Sequence, residues 1–217
     1  MNTSTSDPSK LSLCAATNVE DMVRLERLVW PAEIRASHES FRSRLTHFPQ
    51  GVIGAYVAGR LVGLSTSMRV NWSRGEDLKS WETVTDNGLI RTHQPDGNAL
   101  YVVSIGAEKL SHIPGIGAAL IQGQIALGER LSLDHIVLGS RVPGYRDWNM
   151  ANGGSLADYL SQTNEDGLIL DPLLRFFTRQ GLAIQRAISG YMEDDPESLN
   201  YGVIMSRALR VPPVASR

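Results

Sequence analysis

The chain has 217 residues, 42% of them apolar and 20% charged, with a formal net charge of −2. That length suits one domain with a sizeable core, and the near-neutral charge gives no electrostatic case for nucleic acid or an anionic membrane as partner. No apolar run approaches the ~18 residues of a membrane span and the polar N-terminus lacks a signal-peptide core, so a soluble cytoplasmic protein is expected, with its single cysteine, Cys14, as a small buried hydrophobe.

Residues 1–10 read as a disordered leader, 11–209 as one domain and 210–217 as a frayed tail. Leu11–Ala15 alternates as a first strand. Thr17 or Asn18 caps a helix that carries Val19, Met22, Val23, Leu25, Leu28 and Val29 at helical spacing, with Glu20 and Asp21 in its first turn. Pro31 interrupts it, and Ser37 opens a second helix closed at Pro49–Gly51. Val52–Val57 and Leu61–Val70 form a hairpin in which Gly59 supplies positive φ. Residues 71–98, with Trp72 and Trp81, read as a long excursion beside a substrate site.

Ala99–Ile105 is an apolar, β-branched run expected to be a buried strand. A loop, Gly106–Ser111, follows, and then His112-Ile-Pro-Gly-Ile-Gly117 runs into a helix former that ends at Arg130. Strand, glycine turn and helix make a phosphate-binding arrangement. Gly115 and Gly117 have no side chain to hold an anion off, and the first helical amides lack intrahelical partners. A third glycine for a dinucleotide fingerprint and the Gly-Lys-Ser/Thr of a P-loop are both missing. Asp134–Ser140 is another strand. Residues 141–170 form a second insertion with Tyr145, Trp148 and a short helix over Ser155–Ser161. Asp171, Pro172 and Gly181 delimit a helix by N-cap, N1 and C′ signals. Strands Ala183–Ser189 and Tyr201–Arg207 close the chain.

The turn resembles the acetyl-CoA loop of the GNAT superfamily of N-acetyltransferases, [QR]-x-x-G-x-[GA], with His112 at the Gln/Arg position and Gly115 and Gly117 at the glycines. The element order βααβββαβαββ is also that of the family. Gly59-Arg60-Leu-Val-Gly63 matches its frequent G-x-L-V-G, and Asp171–Gly181 its second signature helix. Arg141-Val-Pro-Gly-Tyr145, Asp171-Pro172 and Tyr191 through Asp194-Asp-Pro-Glu-Ser198 to Gly202 resemble, more narrowly, GNAT modules fused to carbon–nitrogen hydrolase domains, and the chain has no room for such a hydrolase.

The resemblance implies an α/β fold: a mixed, largely antiparallel sheet of about seven strands, splayed at the cofactor loop and flanked by about four helices. It implies that acetyl-CoA is co-substrate, with no metal. Val103, Ser104 and Ile105 would pair with the pantetheine arm. The pyrophosphate would rest on the turn His112, Gly115, Ile116, Gly117 and Ala118, and a strand N–H near Ile105 would polarise the acyl carbonyl. The tyrosine that often protonates the departing thiolate falls at Phe177, which cannot donate. Tyr145 and Tyr191, each in a loop, are the substitute candidates, and Glu26 and Glu33 could line the amine site. The expected activity is acetyl transfer to a primary amine of a small molecule, with a homodimer implied by the family's edge strands. A non-catalytic acyl-CoA-binding or regulatory module is the alternative.

Overall fold

The computed structural model describes residues 10–76, 78–110 and 113–210. The expected leader, apart from Lys10, and the expected tail beyond Arg210 lie outside the described residues, as does His112. No helix among the described residues is long and apolar enough to cross a membrane.

Seven strands form one sheet in the order β1-β2-β3-β4-β5-β7-β6, with every pairing antiparallel except β4–β5. The strands are β1 Ser12–Ala15, β2 Ile53–Val57, β3 Arg60–Val70, β4 Ala99–Ala107, β5 His135–Ser140, β6 Ala183–Ile188 and β7 Gly202–Ala208. The mixed, largely antiparallel sheet agrees with expectation. The helices exceed the expected four: α1 Val19–Val29, α2 His38–His47, α3 Trp81–Thr85, α4 Ile116–Arg130, α5 Tyr145–Asn152, α6 Leu156–Leu160 and α7 Pro172–Arg179. Beyond the four, α6 is the short helix expected over Ser155–Ser161, while α3 and α5 were not expected; all three lie in the two insertions.

Local chemistry sets the ends. Asn18, not Thr17, caps α1, its side chain accepting from the Glu20 and Asp21 amides at 3.0 and 3.2 Å. Ser37 caps α2 in a reciprocal pair with Ser40. The β2–β3 turn takes Ala58 and Gly59 at φ 49° and 76°, the two positive values that a tight hairpin needs. At α7 all three signals act: Asp171 accepts from the Leu173 and Leu174 amides at 2.9 and 3.0 Å, Pro172 opens the helix, and Gly181 follows it at φ 85°.

Helices α1 and α2 bury Met22, Val23, Leu25 and Phe41 against Leu61 and Leu64 of β3. A separate cluster joins Ile116 and Leu120 of α4 to Val62 of β3 and Ala55 of β2. Gln124 of α4 is fully buried, yet it bonds Ser65, Ser67 and the Gly51 carbonyl at 2.7, 2.8 and 2.9 Å, so its amide is satisfied. Cys14 departs from expectation. It is exposed, because β1 is a short edge strand with all four residues at the surface.

Candidate active site

Two interruptions in the sheet fall at one place. The β3–β4 register shifts so that Thr66 faces Ser104 and Ser67 faces Val102, which leaves Val103 as the extra residue of a β-bulge. On the other side, β4 pairs with β5 only at Ala99–His135, Leu100–Ile136 and Tyr101–Val137. Val103 thus has no partner in either neighbouring strand, and beyond Tyr101 the two strands part. The segment expected to be a loop from Gly106 is still β4 as far as Ala107, because β3 continues to pair with it.

A cavity of about 640 Å³ opens at this gap. Val102–Ile105 of β4, Leu138–Ser140 of β5, and Leu173 and Phe177 of α7 line it. Glu26 of α1 and Arg44 of α2 close it, and the first insertion adds Trp81, Glu82 and Asn87. The two insertions do not contribute alike. Among the described residues, Arg141 is all that the second one brings to the cavity. Its aromatic residues pack on one another and on the loop before β7 instead, with Tyr145 5.6 Å from Tyr159 and 5.8 Å from Tyr201 between ring centroids.

The structure therefore brings Val103, Ser104, Ile105, Phe177 and Tyr191 to one cavity, and leaves Tyr145 outside it. Tyr145 opens α5 rather than hanging in a loop, and it is buried. Tyr191 is 1% exposed, with its hydroxyl bonded to that of Tyr101. Its ring lies against Gly139 and Gly202, where any Cβ would stand within 2.0 and 2.3 Å of ring atoms, so only glycine fits. Burial raises the Tyr191 hydroxyl above its ordinary range and that of Tyr101 well above it, so both hold their protons.

Gly115, at φ 83°, caps α4, and the first intrahelical bond runs from the Ala119 amide to Gly115 O at 2.9 Å. The turn Gly115, Ile116, Gly117 and Ala118 thus presents amides with no intrahelical acceptor. A Cβ on Gly115 would meet nothing within 4 Å, and one on Gly117 would meet the Phe176 ring at 3.5 Å. Phe176 stacks edge-on against Phe177 at 5.0 Å, which links the turn to the cavity wall. Among the described residues no cluster of three or more His, Cys, Asp or Glu is placed to hold a metal.

Glu82 and Arg44 are cavity residues that the sequence reading missed, and Trp81 was expected only as part of an excursion beside a substrate site. The Trp81 indole donates to the Val103 carbonyl at 3.0 Å, tying α3 to the bulge. Glu82 Oε1 accepts from the Glu193 amide at 2.8 Å, while its buried Oε2 has no partner among the described residues. Arg44 is 2% exposed, and burial pushes its guanidinium pKa down to about 10 against the pull of Glu26. The one signal for it was its place on the buried face of α2, three residues after Phe41. Trp81→Phe is expected to cost about 1–3 kcal/mol in urea denaturation, because it strands the Val103 carbonyl.

No protein-family model matches the chain. Among solved structures, the GphF GNAT-like decarboxylase in complex with isobutyryl-CoA superposes with a TM-score of 0.77 at 26% identity, covering 93% of this chain and all of that one (100%). The uncharacterized N-acetyltransferase YkwB of Bacillus subtilis (strain 168) is 34% identical over 193 residues, which cover 87% of this chain and 84% of that protein. The chain belongs to the GNAT N-acetyltransferase family. A second Bacillus subtilis protein, named "Probable hydrolase YhcX", is 28% identical over 188 residues, 87% of this GNAT chain but 36% of that protein.

The motifs that gave the narrower resemblance meet in this GNAT chain. Arg141, just after β5, forks onto Asp195 and reaches Glu197 at 2.9 Å, while the Val142 amide donates to Ser198 Oγ at 3.0 Å. Burial pushes the Asp195 carboxyl up, but the bonds from Arg141 and Ser198 prevail and hold it below its ordinary range. The loop that carries Tyr191 is thereby anchored to the end of β5.

Proposed function

We propose that the protein transfers an acetyl group from acetyl-CoA to a primary amine on a small molecule by direct attack. The observation that carries this is the coincidence of the β4 bulge, the parting of β4 from β5 and a cavity at the gap. The pantetheine arm would lie in the gap along Val103, Ser104 and Ile105. The pyrophosphate would rest on the turn of His112, Gly115, Ile116, Gly117 and Ala118, and Phe177 would pack beside the arm. The Val103 carbonyl is already taken by Trp81, so the arm would pair with those backbone groups of Ser104 and Ile105 that face the gap rather than β3. A β4 amide beside the bulge would polarise the thioester carbonyl.

The amine must arrive neutral, so a base is needed. Glu26 fits that role in this reading. It is 5% exposed, lines the cavity and keeps one oxygen on the Ala36 amide at 2.9 Å. Burial raises its pKa above the ordinary 4.5, with the Ala36 bond and the charges of Arg44 and Arg35 opposing. Glu26→Gln is expected to lower kcat/KM about 10²-fold. A base works ionised, so wild-type activity should fall as pH drops through that raised value, and the variant should lose this limb. Stability runs the other way. A carboxyl that binds its proton more tightly when folded gains stability as pH falls from neutral toward 4.5. Urea denaturation against pH should show that gain in the wild type and not in Glu26→Gln.

Phe177 offers no proton to the departing thiolate, and a thiol of pKa ~8.5 can leave near neutral pH without one. The 26% identity to a GNAT-like decarboxylase favours a second reading, loss of carbon dioxide from an α-carboxyacyl-CoA of the malonyl type in the same cleft. The deciding experiment follows free thiol and acyl-CoA mass with a panel of primary amines. Amine-dependent thiol release supports transfer. A shortened acyl-CoA without thiol supports decarboxylation. Binding with neither leaves an acyl-CoA-binding module.

A further inference from the structure

Arg44 is the buried cation of the cavity. It reaches from α2 to three neutral acceptors: Gly88 O at 2.8 Å, Thr66 Oγ1 at 3.2 Å and Ser104 Oγ at 3.4 Å. Its Nη2 has no hydrogen-bond partner among the described residues, and Gly88 makes room for it, since a Cβ there would stand 2.9 Å away. Phe41 lies under the guanidinium at 5.3 Å. No carboxylate among the described residues forms an ion pair with it; Glu26 acts on it only at a distance. Burying a charge without a counter-charge is costly. Arg141, also drawn in from solvent, is given both Asp195 and Glu197. Arg44, at the wall of the same cavity beside Ser104 and one residue past the bulge, differs in having no such carboxylate among the described residues.

We infer that Arg44 binds a carboxylate carried by the substrate; borne by the acceptor, it makes that acceptor an amino acid with its amine and carboxylate a few bonds apart. The inference rests on the acyl-CoA reading of the same cavity. Glu26, on the wall of the same cavity, would take the amine's proton while the guanidinium forks onto the carboxylate. A carboxylate could also come from the acyl group of a dicarboxylic acyl-CoA, and the test separates the two sources.

The first arm uses the wild-type chain with acetyl-CoA and matched acceptors: glycine, β-alanine and 4-aminobutanoate against methylamine, ethylamine and propylamine. The second compares malonyl-CoA and succinyl-CoA with propionyl-CoA and butyryl-CoA by calorimetry. A preference of about tenfold or more for the carboxylated member in one arm is expected, a charge-assisted contact being worth that much or more. A preference in the first arm assigns the carboxylate to the acceptor, and one in the second to the acyl group. Arg44→Gln should erase the preference through KM while Arg44→Lys retains part of it, a pattern that a merely structural arginine would not give. Acetyl-CoA bound with no preference in either arm overturns the inference and leaves the cofactor reading intact. So does a preference that survives Arg44→Gln. No binding of any acyl-CoA overturns both, and the calorimetry alone reveals it. The wild-type arms need no variant to fold.

Discussion

Gly117→Glu is expected to abolish acetyl-CoA binding while leaving the fold intact. The added Cβ would stand 3.5 Å from Phe176, an ordinary contact, and Gly117 is helical, so no left-handed backbone has to be forced. A carboxylate in the first turn of α4 is favoured by the helix dipole by about 0.3–1 kcal/mol, so the melting temperature should hold or rise slightly. The same carboxylate sits where the pyrophosphate is proposed to rest and opposes it both by volume and by charge. Calorimetric titration should give wild-type binding and an affinity at least about 100-fold weaker in the variant, which corresponds to about 2.7 kcal/mol. Wild-type affinity in the variant would remove the turn from the cofactor site.

Arg141→Ala is expected to be the most destabilising of the substitutions considered. It leaves the Asp195 carboxylate, whose side chain is 0% exposed, without the fork that compensates it. Removing one partner of a buried pair costs about 3–5 kcal/mol, or about 6–20 °C for a chain of this size. The variant should also lose a pH dependence. With its folded pKa below the ordinary 3.8, Asp195 contributes stability that is present above that value and lost as pH falls through the lower one. Thermal melts at neutral and acid pH, in wild type and variant, measure both effects. A wild-type melt in Arg141→Ala at neutral pH would mean that the Tyr191 loop is held by its other contacts.

The order of the elements along the chain followed from local chemistry that the sequence states openly, whereas the splay entered only with the family resemblance. Asp171, Pro172 and Gly181 each act at short range, as do Asn18 and Ser37, and short-range chemistry survives without the rest of the fold. What could not be read depends on partners far along the chain. Tyr145 and Tyr191 look alike as loop aromatics. One meets Tyr159 and Tyr201 and becomes core, while the other meets Gly139, Gly202 and Tyr101 beside the cavity. Cys14 has apolar neighbours in sequence, but β1 pairs on one side only and leaves it exposed. Arg44 reads as a solvated helix charge until the Gly88 turn and Thr66 arrive to take its donors.

The parting of β4 from β5 also gives the sheet edges in its interior. An open sheet has two rims, here β1 and β6. After the third β4–β5 pair this one acquires two more, along Val102–Ala107 and Leu138–Ser140. Unpaired strand backbone is ordinarily a hazard, because it templates the addition of another chain. In this protein the same chemical resource appears twice with opposite consequences. On the outer rims, where β1 is exposed throughout, any strand can approach. The inner rims are hemmed in by α1, α2, α7 and the α3 insertion, so what reaches them must be slender enough to enter a cleft. Enclosure, more than hydrogen-bonding capacity, separates a recognition surface from an aggregation surface.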